Sequence, residues 1–315
     1  MVGDAKGTIT EVNKSEVEEI KPSSLSTMPE GLPKLLGPDR MRDLMTFLLT
    51  PPPSMPRDGP ANRPKPRPAA EVAAALAGAP TPAEPTRKIK VVLVAGPKDH
   101  GPGEHDYPAW RKSWSELLSA DDKTEVAAAW EWPSETDFKT ADAMVFFQHG
   151  SWDDRKAAQI DAFLARGGGL VYVHWAIDGG KNGRDFARRI GLAGMGAVGF
   201  RHGPALLEAR PGSNHPVMRN IKKLDLVDET YWKMVGDLPD DRVLATGVED
   251  GAPRPQLWSV EHGKGRVFVS IPGHYSWTFD DPLFRVVLLR AIAWTAHEPV
   301  DRYNMLVWPG ANLAR

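Results

Sequence analysis

Four short apolar runs along the chain each give way to a loop that carries histidine. Val91-Val92-Leu93-Val94-Ala95 leads to His100, Glu104, His105 and Asp106. Ala143–Phe147 leads to His149, Leu170–Val173 to His174, and Val267–Ile271 to His274. Runs of four or five β-branched and apolar residues bounded by glycine or proline predict strands buried on both faces. In an open parallel sheet the loops past the carboxyl ends of the strands form the ligand crevice. The four loops are therefore expected to bring their imidazoles to one site.

Helical spacing fills the intervals. Trp110–Leu118 is amphipathic, and Asp153–Arg166 follows an Asp N-cap and stops at Gly167-Gly168-Gly169, a C-cap signal. Asp185–Ile190 and Leu283–Thr295 supply further helices. Strands alternating with helices predict a doubly wound, mostly parallel α/β domain over residues 87–315. Upstream, residues 51–86 are rich in proline, with Pro51-Pro52-Pro53 and Arg63-Pro64-Lys65-Pro66-Arg67-Pro68. Such a stretch favours extended polyproline II and is expected to be a linker, broken by one short helix at Ala69–Ala77. In residues 1–50, Gly7–Thr10 and Val17–Ile20 suggest a small hairpin. A helix is expected over Leu35–Leu49, starting after Gly37-Pro38-Asp39.

Composition narrows the chemistry. The chain has 315 residues and a net charge of −2, so nothing in its charge argues for nucleic acid or an acidic membrane. No stretch approaches the roughly 18 apolar residues of a spanning helix, and membrane insertion is not expected. Met1–Gly7 lacks the apolar core of a signal peptide, so no export signal is expected in this chain. Export would follow only if the chain were a fragment of a longer exported protein, and otherwise the cytoplasm would. Cysteine is absent, which removes disulfides, thiolate metal sites and a cysteine nucleophile. Eleven tryptophans against five tyrosines leave indoles for the core and for stacking on sugars.

The histidines and carboxylates remain. His100 and His105 with Glu104 and Asp106 form the densest polar cluster, on a loop that Gly101, Pro102 and Gly103 allow to bend. His149 follows one strand directly, and His174 stands at the elbow after another, beside Trp175. His202 adjoins Arg201, a group suited to an anionic or hydroxylated ligand. His274 is followed by Tyr275 and Trp277, rings that either stack on a sugar or simply pack. His215 precedes Pro216 and reads as part of a structural turn. Neutral imidazole serves as general base or metal ligand, and the mixed donors suit Mn²⁺, Zn²⁺ or Fe²⁺. No His-x-x-x-His or His-Glu-x-x-His spacing decides between a metal centre and a metal-free polar cleft.

Four segments carry a family resemblance: His100…Glu104-His105-Asp106-Tyr107; Gly167–His174; Asn214-His215-Pro216-Val217 with Asp228-Glu229-Thr230-Tyr231; and Gly263–Val267 running on to Gly273-His274 and Trp294. In this order over residues 88–308 the chain resembles the ThuA-like (trehalose-utilisation) family. The resemblance implies a flavodoxin-like fold related to class I glutamine amidotransferases. Those relatives place a nucleophilic cysteine at a strand elbow where this chain has His174, so glutaminase activity is not expected. No Gly-x-Ser-x-Gly elbow follows a strand either. The resemblance further implies chemistry on oxidised, 3-keto glycosides, by isomerisation or elimination next to the ketone. On that reading His174, Glu229 and His274 are catalytic. Trp175, Arg201, Tyr231, Tyr275 and Trp277 bind substrate, and His100, His105 and His149 hold a metal. The alternative is a non-catalytic carbohydrate-binding or assembly domain of a multidomain protein, and an oligomer is open to either. The N-terminal fifty residues, especially Ser26–Leu32, resemble the tail of a planctomycete-type haem-binding domain. With no cysteine, covalent haem attachment is excluded.

Overall fold

A computed structural model describes residues 2–3, 9–10, 31–49, 63–80 and 86–314. Two compact units divide the chain, Met1–Met55 and Pro56–Arg315. In the first, β1 (Val2–Gly3) pairs antiparallel with β2 (Ile9–Thr10), so the hairpin partner is the extreme N-terminus. Val17–Ile20, Met28 and the rest of Ser26–Glu30 lie outside the described residues. Helix α1 (Leu32–Leu49) is divided at Gly37, whose φ of 74° and ψ of 171° break the helix before Pro38. That is the helix start expected from Gly37-Pro38-Asp39, with an additional turn ahead of it.

The second unit opens with α2 (Ala69–Leu76) inside the proline-rich stretch. This segment is docked: Val72 and Ala75 are buried in the main core, and Arg67 forks onto Asp281 at 2.7 and 2.9 Å. The remaining elements run β3 (Ile89–Ala95), α3 (Tyr107–Leu118), β4 (Thr124–Trp130), α4 (Glu135–Thr140), β5 (Ala143–Phe147), α5 (Asp154–Ala165), β6 (Gly169–Val173), α6 (Gly183–Ile190), β7 (Leu192–Ala193), β8 (Gly199–Ala209), β9 (Lys223–Trp232), β10 (Val235–Gly236), β11 (Val243–Glu249), β12 (Ala252–His262), β13 (Gly265–Ser270) and α7 (Pro282–Thr295). Nine strands form one sheet in the order β4-β3-β5-β6-β13-β12-β11-β8-β9.

The α/β class is as expected, but the sheet is mixed. Its first five strands are parallel, and β12, β11, β8 and β9 extend it by antiparallel pairing. The run from 199 to 262 has no α-helix between its strands, and β8 alternates exposed and buried positions along Gly199–Ala209. Alternation suits a strand wet on one face. The inner parallel strands bury both faces, and alternate residues of β3 enter opposite cores: Val91, Leu93 and Ala95 pack in one, Val92 and Val94 in the other. Burying each such side chain contributes on the order of 1.5–3 kcal/mol. Helix α7 is buried on every side, which explains its apolar sequence. Its interior cations are tied to carbonyls, Arg290 to Arg219 and Ala75, and Arg285 to Phe279 and Val307.

Strand β3 has β4 on one side and β5 on the other, so the chain reverses its winding direction there. A crevice outside the carboxyl ends of the strands is expected at such a reversal. The loops after β3, β5, β6 and β13 all open at this end of the sheet.

Candidate functional site

The loops deliver their imidazoles as the sequence suggests, and two of them are zipped together. His105 N–H donates to the His274 carbonyl at 2.9 Å, and Ser276 N–H to the Gly103 carbonyl at 2.8 Å. His105 and His174 both hold left-handed backbones, with φ of 42° and 56°. Such strain in a non-glycine residue persists where surrounding contacts fix it. At Gly273, with φ 144°, a Cβ would meet Val173 Cγ1 at 2.6 Å, so only glycine lets this turn lie against the His174 elbow.

His105, His174, Glu229 and His274 form a buried group whose donor atoms all lie within 4.8 Å of one another. His174 Nδ1–H donates to the Ile271 carbonyl at 2.7 Å. Its Nε2 therefore faces inward as a lone pair, 2.8 Å from the Tyr231 hydroxyl and 3.1 Å from Glu229 Oε2. The Tyr231 hydroxyl can donate to that lone pair, and a positive centre between ring and carboxylate would stabilise both. His274 Nδ1–H donates to Glu229 Oε2 at 2.9 Å, and His105 Nδ1–H donates to Asp99 Oδ1 at 2.8 Å. The Nε2 atoms of His105 and His274 are left buried with no partner.

A divalent cation fits these residues on the chemistry of the donors: three imidazole nitrogens and a carboxylate, two of the nitrogens otherwise orphaned. The outer bonds to Asp99 and to the Ile271 carbonyl are the kind that fix tautomers in metal-binding histidines. Burial opposes ionisation of Glu229, but the His174 and His274 imidazoles set against it outweigh burial and hold the carboxyl below its usual range. Burial, helped by the neighbouring imidazoles and opposed by Asp99, lowers His105 to about 3, so the ring is neutral.

Around this group lies a further layer, in which the sequence assigns Asp99 no role. Asp99 binds three imidazoles through their Nδ1 atoms, His105 at 2.8 Å, His100 at 2.9 Å and His149 at 3.0 Å. Burial would raise its pKa, yet the three hydrogen bonds pull it far down. Asp228 accepts from the backbone N–H groups of Glu229 (2.6 Å), Gly273 and His274 (both 3.0 Å), and from the Thr278 hydroxyl. Burial pushes its carboxyl up. Four donors nonetheless fill its lone pairs, and we assign it as ionised. His202, opposite Glu229 in the β8–β9 register, puts Nε2 3.3 Å from Glu229 Oε1 and Nδ1 3.0 Å from the Tyr275 hydroxyl.

Other expected residues sit elsewhere. Arg201, adjacent to His202 in a strand, points to the other face and forks onto Glu249 at 2.6 and 2.9 Å. Tyr275 and Trp277 stack on each other with centroids 4.3 Å apart, both buried, so they pack and present no sugar platform. Tyr231 is buried, its ring stacked on His174 with centroids 4.9 Å apart and its hydroxyl 2.8 Å from His174 Nε2. His149 lies outside the four-residue group. Asp178 and Asp99 push it up to about 9, and in that charged state the Trp175 indole 3.2 Å from Nε2 is a packing contact. His100 belongs to a second, more exposed group with Asp99 and His105. His215 accepts from Val217 N–H and caps the turn at Pro216–Met218, as its place before proline suggests.

Comparison with known proteins agrees with this architecture. The family model described as "ThuA: Trehalose utilisation" matches residues 91–295. A ThuA-like protein from Parabacteroides merdae superposes with a TM-score of 0.52 at 22% identity, over 67% of this chain and 90% of that one. A ThuA-like protein from Bacteroides uniformis gives a TM-score of 0.52 at 17% identity, over 71% and 99%. At such identities the likeness speaks to the fold. No curated protein sequence matches the chain.

Proposed function

The chain belongs to the ThuA (trehalose-utilisation) family, and from that premise we propose that it acts on oxidised, 3-keto glycosides by proton abstraction next to the ketone. The observation that carries this reading is the buried His105–His174–Glu229–His274 group with its two unpartnered Nε2 atoms. A divalent cation held by these four would polarise the ketone oxygen as a Lewis acid. His100 is the proton carrier: Asp99 takes its Nδ1–H, which leaves an Nε2 lone pair at the half-exposed mouth of the cluster. The roles thus shift from those read in the sequence, with His174 and Glu229 among the holding residues and His100 moving the proton.

In the reaction, the C–H bond beside the ketone breaks and its proton passes to His100. The electron pair delocalises onto the ketone oxygen. Return of that proton to the former carbonyl carbon, with transfer of the hydroxyl proton on the first carbon to the former ketone oxygen, gives isomerisation. Departure of the substituent one carbon further, as an alkoxide that takes the proton from His100, gives elimination. Tyr231, buried with its hydroxyl on His174 and Glu229, closes the apolar side of the group.

The test is proton–deuterium exchange of 3-keto glucosides in D₂O, followed by NMR on metal-depleted protein and after reloading with Mn²⁺ or Zn²⁺. Metal-dependent exchange at the carbon beside the ketone is expected, with at least a hundredfold loss in His100→Ala. Sugar binding without exchange under any loading would reject the enzyme and leave a carbohydrate-binding domain.

A further inference from the structure

Beside the histidine cluster, between the carboxyl ends of β3, β4 and β5, lies a pocket of about 340 Å³. Its floor is Gly96, where a Cβ would stand 3.5 Å from Gln148 Cβ, 3.8 Å from Gln148 Oε1 and 3.9 Å from Glu131 Cγ. A side chain at residue 96 would project into this space, beside Gln148 and Glu131.

Gln148 is 5% exposed and its orientation is fixed, because Nε2 donates to the Glu131 carbonyl at 2.9 Å. That leaves Oε1 as a buried acceptor with no partner. An unmet buried acceptor costs on the order of 1–3 kcal/mol, and a ligand that donates to it would recover that energy. Glu131 adds a carboxylate, on a residue held at φ 60° with its N–H on the Ala95 carbonyl. Donors come from the other wall. Lys156 lies over the Trp132 ring at 4.8 Å, and His149 is shared with the cluster through Asp99. Acceptors facing donors across a small space suit a neutral ligand with adjacent hydroxyls, which donate on one side and accept on the other. Arg155, Lys156 and His149 supply donors to the same space that Glu131 and the Gln148 oxygen line with acceptors, so both halves of a hydroxyl's bonding capacity are met. The volume is at the small end of ligand sites, roughly 300–1,000 Å³, and suits one ring.

We propose that this pocket is a subsite for one neutral pyranose ring, and that it seats the unoxidised ring of a two-ring glycoside whose keto ring lies at the histidine cluster. The second half of this statement rests on the keto-glycoside reading, whereas ring binding itself does not. Gly96 is outside the left-handed region and its Cβ contacts would be ordinary, so Gly96→Val should fold and fill the space.

The experiment is titration of the full chain with methyl α-glucopyranoside by saturation-transfer NMR. At least a tenfold loss of affinity is expected in Gly96→Val. Gln148→Met, which keeps the side-chain length and deletes the acceptor, should show the same loss and serves if the first variant does not fold. Equal affinity in wild type and variants, or none in wild type, overturns the subsite. A two-ring 3-keto glycoside should also show a KM at least tenfold below that of the one-ring compound, and equal values overturn the seating of the second ring. Loss of glucoside binding in the variants with no exchange chemistry in wild type would retain the subsite and reject the keto-glycoside reading. Exchange with unaltered glucoside binding would do the reverse.

Discussion

Asp228 touches no open space, yet it sets the position of His274 by holding the N–H groups of Gly273 and His274. Asp228→Asn would turn an amide NH₂ toward at least one of these donors. Hydrogen bonds to charged groups contribute about 1.5–3 kcal/mol each, so a stability loss of roughly 2–3 kcal/mol is expected in urea denaturation. A 10–100-fold weaker Zn²⁺ affinity, measured by calorimetry, should accompany it, as for other outer partners of metal ligands. His215 offers a separate test, remote from the cluster. Burial, with Arg266 nearby, lowers it to about 4, so it is neutral in the fold. The unfolded chain takes up a proton near pH 6.5 that the folded chain refuses. Stability is therefore unaffected above that pH and falls as pH drops from about 6.5 toward 4, by about 1.4 kcal/mol per pH unit for this proton. His215→Asn keeps an acceptor for Val217 N–H and should flatten that part of the profile, and identical wild-type and variant profiles would refute the assignment. Asp99 is the residue least legible in the sequence. Its importance comes from three imidazoles that arrive from two loops fifty residues apart, and no periodicity records such a meeting.

Four of the parallel strands, β3, β5, β6 and β13, were readable because each is a bare apolar run, whereas the edge strand β4 mixes polar and apolar residues and was not. The antiparallel extension was not, because β8, β9, β11 and β12 mix polar and apolar residues and their pairing depends on register. Register also decides which neighbour enters the site: His202 faces Glu229, while Arg201 turns to Glu249. Helix α2 shows the same limit. Its proline-rich flanks suggest a spacer, whereas Arg67 is buried against Asp281, the N-cap of α7. Removing one partner of a buried pair costs about 3–5 kcal/mol. Arg67→Met should sit near 3, because Asp281 keeps its bonds to the N–H groups of Leu283 and Phe284. Arg67→Met combined with Asp281→Ser, which retains a cap, should recover part of that loss in thermal melts. A double variant as unstable as the sum of the two singles would show that the pair is not coupled.

For the whole molecule, a cation bound only by the folded chain stabilises it by mass action. At a hundredfold excess over Kd this amounts to about 2.7 kcal/mol, or roughly 5–10 °C in Tm for a domain of this size. One equivalent of Zn²⁺ or Mn²⁺ per chain is expected by mass spectrometry, with a rise in Tm that EDTA reverses and that Glu229→Gln or His274→Ala abolishes. No rise in wild type would count against a metal centre. Among the described residues no helix is long and apolar enough to cross a membrane. The bond from His105 N–H to the His274 carbonyl joins loops about 170 residues apart in the chain. Neither loop can close the cluster until the strands between them have assembled, and neither can leave without opening it. The exchange of the His105 amide with solvent deuterium should then be as slow as complete unfolding, which makes that single proton a clock for how long the assembled site survives.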